Sequence, residues 1–220
     1  MKIVISVIWL CLFPLNAQTN HETPSIDQIA LVNELALINP TAPINPASIK
    51  QTSIQTSTNR TTSIKVTDVR LSDASSARLG RVTLSCTTDY DPARCIAGAH
   101  ALAKVLERYP TAKLGDWTFV LASSEHWEQT VKSLGGDTES PAFSELGAHV
   151  TVLEDVFFDN ANPRRAALAQ RYGQTPDRFL DYAVTHEMGH TICNERNEKQ
   201  ADAYGLGLRM GITPACRNAH

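Results

Sequence analysis

Residues 186–190 of this 220-residue chain read HEMGH, the pattern H-E-x-x-H. Side chains four residues apart on a helix lie one turn above each other, so the imidazoles of His186 and His190 can bind one Zn2+ at about 2.0–2.1 Å. Glu187 then lies beside the metal, where its carboxylate can take a proton from a water molecule whose pKa zinc lowers to roughly 7. The spacing therefore predicts a zinc site with Glu187 as general base.

A helix must position these side chains, and the preceding residues contain the signals that start one. Thr175 is a good N-cap, Pro176 suits the first helical position, and Asp177 is favourably placed against the helix dipole. We expect the helix to run to about Cys193. At 100° per residue one stripe of this helix is apolar and the histidines lie on nearly the opposite stripe. The apolar stripe contains Leu180, Val184, Met188 and Ile192.

A catalytic zinc site normally has three protein ligands, so a further ligand is needed. After a break at residues 194–197 a second helix is predicted, on which Glu198 and Asp202 lie four apart and share a face. The spacing leaves both acids open as the third ligand. Small residues on this helix would allow a close approach to the first one, and Gly189 indicates that something passes close there, because glycine inside a helix costs about 1 kcal/mol relative to alanine. The small residues are Ala201, Ala203 and Gly205.

HEMGH followed by E-x-x-x-D resembles the gluzincin metallopeptidases, particularly the branch of the CAAX prenyl endopeptidases, over residues 176–209. The resemblance implies that His186, His190 and Glu198 bind zinc and that Asp202 orients a ligating histidine. It also implies an α+β, zincin-like domain with a short mixed sheet, an active-site helix and a following helix that supplies the third ligand. Those relatives are embedded in membranes, so a prenylated substrate is not implied here. The metzincin pattern is disfavoured because Arg196 stands where its third histidine would be.

In zincin folds an edge strand lies beside the active-site helix, and a peptide substrate adds to it as a further strand. Our candidate for that strand is residues 149–158. His149, at its start, is interpreted as a surface or packing residue rather than a ligand. No tyrosine is assigned to stabilise an oxyanion, although three lie near the motif in sequence: Tyr172, Tyr182 and Tyr204.

Helical and strand patterns alternate at short spacing from about residue 66, which is typical of a small α+β domain. Besides the segments above, strands are predicted at residues 66–71, 81–86 and 117–122, and helices at residues 92–109 and 124–134. Residues 66–220 are therefore predicted to form one α+β domain, which the resemblance to the gluzincins implies is zincin-like.

The N-terminus resembles a secretory signal, with Lys2, a 13-residue apolar run and a small residue, Ala17, where we expect cleavage. The apolar run is shorter than the roughly 20 residues that span a bilayer, so no stable membrane span is expected. Residues 18–65 are rich in small polar residues and proline, which predicts a weakly ordered tail or linker. A helix at residues 25–38 is either loosely attached or covers a groove of the domain as a pro-segment would.

Four cysteines remain after signal cleavage, an even number that suits an oxidising compartment. We expect each to pair with its neighbour in sequence, Cys86 with Cys95 and Cys193 with Cys216.

The formal charge of −3 and the pI near 6.2 provide no basic surface for nucleic acid. We therefore expect a secreted or periplasmic metallopeptidase with one zinc ion, which hydrolyses a peptide or protein substrate. Two alternatives remain open: an inactive zincin-fold binding or regulatory module, and a zinc amidase that acts on a non-peptide substrate of the cell envelope. An intact Glu187 argues against the inactive module, since metal binding alone needs no base.

Overall fold

The computed structural model describes residues 51–55, 63–213 and 215–216. The predicted signal peptide at residues 1–17 and the predicted helix at residues 25–38 lie outside these ranges. No helix among the described residues is long and apolar enough to cross a membrane.

Six strands among the described residues form one mixed sheet. Its strands are β1 Gln51–Gln55, β2 Ser63–Asp68, β3 Val82–Thr87, β4 Trp117–Ala122, β5 Ala142–Glu145 and β6 Val150–Glu154. They lie in the order β1-β2-β3-β4-β6-β5. The three central strands β3, β4 and β6 are parallel, whereas β1, β2 and β5 pair antiparallel with their neighbours.

Helices cover both faces of the sheet. They are α1 Asp73–Leu79, α2 Pro92–Leu106, α3 Trp127–Leu134, α4 Pro163–Arg171, α5 Pro176–Cys193 and α6 Glu198–Arg209. Successive residues of β4 point to opposite faces: Phe119 and Leu121 pack in the larger core with α2 and α5, and Val120 and Ala122 pack in the smaller core with α3. The α+β class and the mixed sheet predicted from the sequence are confirmed.

The edge strand was assigned to the wrong segment. Residues 149–158 contain β6, which ends at Glu154 and lies between β4 and β5, while β5 is the edge strand on that side of the sheet. All five residues of β6 are buried, and each of its two polar side chains has an internal partner, although Oε2 of Glu154 has none among the described residues. Thr151 bonds to Trp117 and Ser144, and Glu154 pairs with Arg164. These partners explain how a strand with polar residues can lie inside the sheet.

The sheet also begins earlier in the chain than residue 66, since β1 lies at Gln51–Gln55 and β2 begins at Ser63. Helix α3 begins three residues later than predicted because residues 123–126 form a turn, in which the N–H of His126 donates to the carbonyl of Ser123 (3.1 Å). Helices α1 and α4 were not predicted. Each buries at most three residues, too few for a clear apolar stripe.

Both predicted disulfides are confirmed. Cys86 at the end of β3 is bonded to Cys95 in the first turn of α2, with Cα atoms 6.0 Å apart. Cys193, the last residue of α5, is bonded to Cys216, with Cα atoms 5.0 Å apart.

Candidate metal centre

Helix α5 has the bounds that its sequence predicts. Thr175 is the N-cap residue with extended backbone, but its side chain makes no capping hydrogen bond. Pro176 opens the helix, and the helix ends at Cys193. Asn194 follows in the left-handed conformation (φ 46°), which turns the chain out of the helix. α6 begins at Glu198, so four residues separate the histidine helix from the helix with the two acids.

The ring nitrogens of the two histidines and a carboxylate of α6 converge on one point. Nε2 of His186 lies 3.1 Å from Nε2 of His190 and 3.1 Å from Oε2 of Glu198. Nε2 of His190 lies 3.5 Å from the same carboxylate oxygen. Ligand atoms at about 2.0–2.1 Å from a tetrahedral zinc lie about 3.4 Å from one another, so the spacing of the three atoms fits such an ion. These three residues form a group that could hold a metal ion.

Acceptors behind the two rings fix their orientation. Nδ1 of His186 donates to Oδ1 of Asp202 (2.8 Å), and Nδ1 of His190 donates to the backbone carbonyl of Glu195 (2.6 Å). A carbonyl and a carboxylate only accept, so each Nδ1 carries the hydrogen and each Nε2 of a neutral ring presents a lone pair. Such partners behind metal-binding histidines raise the basicity of the ligand and hold the ring in place.

Asp202 has a second hydrogen-bond donor. The hydroxyl of Tyr182 donates to the same Oδ1 (2.8 Å). Burial, followed by this hydrogen bond to Asp202, raises the pKa of Tyr182 well above its usual range, so the hydroxyl keeps its proton. The aspartate is therefore held between the tyrosine and His186.

Two glycines allow α6 to lie against α5. A Cβ atom on Gly189 would lie 2.5 Å from the carbonyl oxygen of Ala201, and one on Gly205 would lie 2.8 Å from the carbonyl oxygen of Thr185. Gly189 and Gly205 thus have the close-approach role that the sequence predicts for small residues here. Ala201 is fully buried in this contact, but Ala203 is exposed and takes no part.

Glu187 lies on the buried side of the cluster and is 4% exposed. Burial raises the pKa of its carboxyl, while the neighbouring histidines and a hydrogen bond from Ser144 act in the opposite direction. That bond joins Ser144 Oγ to Oε2 of Glu187 over 2.6 Å. Glu198, by contrast, has a side chain that is 75% exposed and reaches the centre from the solvent side.

A cleft of about 770 Å3 runs past the cluster. Strand β5 forms one wall and α5 the other. The cleft also contacts a row of neighbouring aromatic rings that leads to His186, in which consecutive centroids lie 4.6 to 6.0 Å apart. The row consists of Phe157, Phe179, Tyr172 and Tyr182.

The remaining residues singled out from the sequence lie elsewhere. Tyr204 is buried and is not among the residues that line the cleft. His149 is exposed and stacks on Trp117 with centroids 5.3 Å apart.

Two contributors to the site were missed from the sequence. Ser144 lies on a four-residue strand without clear alternation, and its contact with Glu187 depends on how the sheet packs against α5. Glu195 contributes its backbone carbonyl, which its residue type does not reveal. The only feature of the sequence that pointed to Glu195 was the predicted break after α5.

Comparison of the chain with protein-family models, with curated proteins and with solved structures gave no match.

Proposed function

We propose that this chain is a secreted zinc metallopeptidase of the zincin type, in which His186, His190 and Glu198 hold one Zn2+ and Glu187 is the general base. One observation carries the proposal. Three atoms with lone pairs lie 3.1 to 3.5 Å apart, and the hydrogen bonds behind both rings place the imidazole hydrogens on the far side. With both rings neutral, such a cluster is repulsive on its own and is stabilised by a cation at its centre.

The donor set supports zinc over the hard cations. Two imidazoles and one carboxylate are the protein ligands of several catalytic zinc sites, whereas Ca2+ and Mg2+ prefer oxygen ligands alone. When bound here, zinc would act as a Lewis acid and lower the pKa of a water molecule. The same three ligands, with Asp202 behind His186, are those that the resemblance to the gluzincins implies.

Glu187 has the environment of a base. Its Oε2 is occupied by Ser144, whereas Oε1 accepts no hydrogen bond from the described residues, and the side chain contacts the cleft. Burial raises the pKa of this carboxyl, which makes its ionised form a stronger base. Oε1 is therefore the atom that takes a proton during hydrolysis and returns it to the leaving group.

The cleft suits an extended chain as substrate. The outer edge of β5 is unpaired among the described residues, and residues 141–146 border the cleft along its length. An extended peptide can hydrogen-bond to such an edge as a further strand, which would place its backbone between β5 and the histidines. We therefore assign to β5 the substrate-binding role that the sequence analysis gave to residues 149–158.

The two disulfides suit an oxidising compartment outside the cytosol.

The decisive experiment combines metal analysis with turnover. The purified chain is expected to contain one equivalent of zinc and to cleave members of a broad peptide library, and a chelator should remove both properties until zinc is restored. Zinc at one equivalent without any cleavage would favour the inactive binding module. Absence of bound zinc after exposure to excess metal would contradict the proposal at its first step.

A further inference from the structure

A chain of hydrogen bonds leads from the interior of the sheet to Glu187. Nε1 of Trp117 donates to Oγ1 of Thr151 (3.0 Å), Oγ1 of Thr151 lies 2.7 Å from Oγ of Ser144, and Ser144 donates to Oε2 of Glu187 (2.6 Å). The chain starts on β4, crosses β6 and β5, and ends on α5. Thr151 and Ser144 face each other directly in the register of β6 and β5.

The direction of the chain follows from the chemistry of its ends. An indole N–H only donates, and a carboxylate only accepts. Ser144 uses its single hydroxyl hydrogen on Glu187, so the hydrogen between the two hydroxyls belongs to Thr151. Every hydroxyl hydrogen in the chain therefore points towards Glu187, and each bond polarises the next one in the same direction.

This chain of hydrogen bonds is enclosed by packed residues. Thr151 is fully buried, Trp117 is 5% exposed, and the indole ring stacks on His149. A buried hydroxyl that loses its partner costs about 1–3 kcal/mol, so the alternatives to this arrangement are unfavourable. The position of Ser144 Oγ is set by Thr151, and the position of Thr151 Oγ1 by Trp117.

We propose that Trp117, Thr151 and Ser144 are positioning residues that fix the carboxylate of Glu187, holding Oε2 so that Oε1 is presented to the cleft. The catalytic consequence rests on the proposed function, but the coupling of Trp117 to Glu187 does not. A test that reads this coupling without turnover is therefore available.

The first experiment follows the indole N–H resonances of the full chain by NMR. Glu187→Ala should move the Trp117 resonance upfield, because Ser144 loses its acceptor and the bonds behind it weaken. In a Thr151→Val background the same change at Glu187 should leave that resonance in place, since the chain is already broken. The indole of Trp127, which donates to the carbonyls of Thr138 and Ser140, is an internal reference in the same spectrum.

Two results would overturn the inference. One is a Trp117 resonance that does not respond to Glu187→Ala in a folded protein. The other is an equal response with valine at position 151, which would show a general rearrangement instead of a connected chain.

The second experiment measures catalysis and separates positioning from stability. Ser144→Ala and Thr151→Val should lower kcat about 10- to 100-fold with KM and zinc content unchanged, because a misplaced base loses its near-attack geometry. Thr151→Ser, which keeps the hydroxyl, should retain the kcat of the unsubstituted protein. Thr130→Val, at a buried threonine on α3, is the control for the loss of a hydroxyl elsewhere and should have no effect.

The outcomes distinguish the two proposals. A kcat that follows stability instead of the presence of the hydroxyl would contradict a positioning role for Thr151. If the unsubstituted protein shows no turnover at all, the proposed function fails. The NMR result still decides whether Trp117 is coupled to Glu187.

Discussion

Replacing Gly189 by alanine tests whether the approach of the two helices sets the geometry of the metal centre. The new Cβ would lie 2.5 Å from the carbonyl oxygen of Ala201, whereas ordinary contact begins at 3.4 Å. Relief of this overlap requires α6 to move away from α5 by roughly 0.5 to 0.9 Å, since packed interiors have little free volume. Glu198 lies three residues before Ala201 on α6 and moves with it.

The expected effect on metal binding is large because zinc sites tolerate deviations of only about 0.2 Å in ligand distance. We expect Gly189→Ala to weaken zinc binding at least about 10- to 100-fold, the range found when the groups that orient ligands are altered. Overpacking should cost about 1–3 kcal/mol of stability, offset by up to about 1 kcal/mol from the better helix propensity of alanine. The metal-free protein should therefore remain folded.

Zinc affinity is measured by competition with a chelator, and the unfolding midpoint of the metal-free protein by circular dichroism. Gly207→Ala is the matched control, because it lies on the same helix and its Cβ would meet only the carbonyl oxygen of Ile212 at 3.5 Å. This control should bind zinc normally and gain about 0.5–1 kcal/mol of stability. Unchanged zinc affinity in a folded Gly189→Ala protein would refute the argument that the close approach of α6 places the third ligand.

Four further predictions concern the ligands, the base and the covalent links. Glu198→Gln should weaken zinc retention much more than Asp202→Asn, whose effect should be about 10- to 100-fold, and the reverse ranking in metal titrations would make Asp202 the ligand. Glu187→Gln should keep zinc and fold while hydrolysis falls about 100- to 10,000-fold, and near-native turnover would identify another base. Because the base must be ionised to act, kcat/KM should fall on the acid side of its pH profile; a profile that stays flat until zinc is lost would contradict this assignment. Replacing both cysteines of the Cys193–Cys216 disulfide by serine should lower the free energy of unfolding by roughly 3 kcal/mol, as expected for a loop of this length, and a loss below about 1 kcal/mol in denaturant titrations would contradict that expectation.

The parts of the site predicted from the sequence depend on local rules. The bounds of α5 follow from Pro176 and the break after Cys193, and the convergence of His186 and His190 follows from the pitch of a helix. Disulfide pairing between sequence neighbours was predictable for the same reason, since it needs only short loops.

The parts that were missed depend on tertiary register. The edge strand β5 has four residues and no alternation, and Ser144 acquires its role only because β5 pairs with β6 beneath α5. Residues 149–158 were assigned to the edge of the sheet. The partners that allow Thr151 and Glu154 to lie inside the sheet are Trp117 and Arg164, and these contacts follow only from tertiary packing. Sequence periodicity contains no information on such partners.

The Cys193–Cys216 bond encloses the whole of α6 in a covalent ring. The ring closes three residues beyond His190, so a locally unfolded α6 stays attached to the end of α5 through both of its own ends. A segment held at both ends has fewer conformations than one held at a single end, so refolding of α6 onto α5 costs less entropy. If the proposed zinc site is correct, the ring should therefore favour the return of Glu198 to the two histidines and slow metal exchange, without adding any contact to the ion.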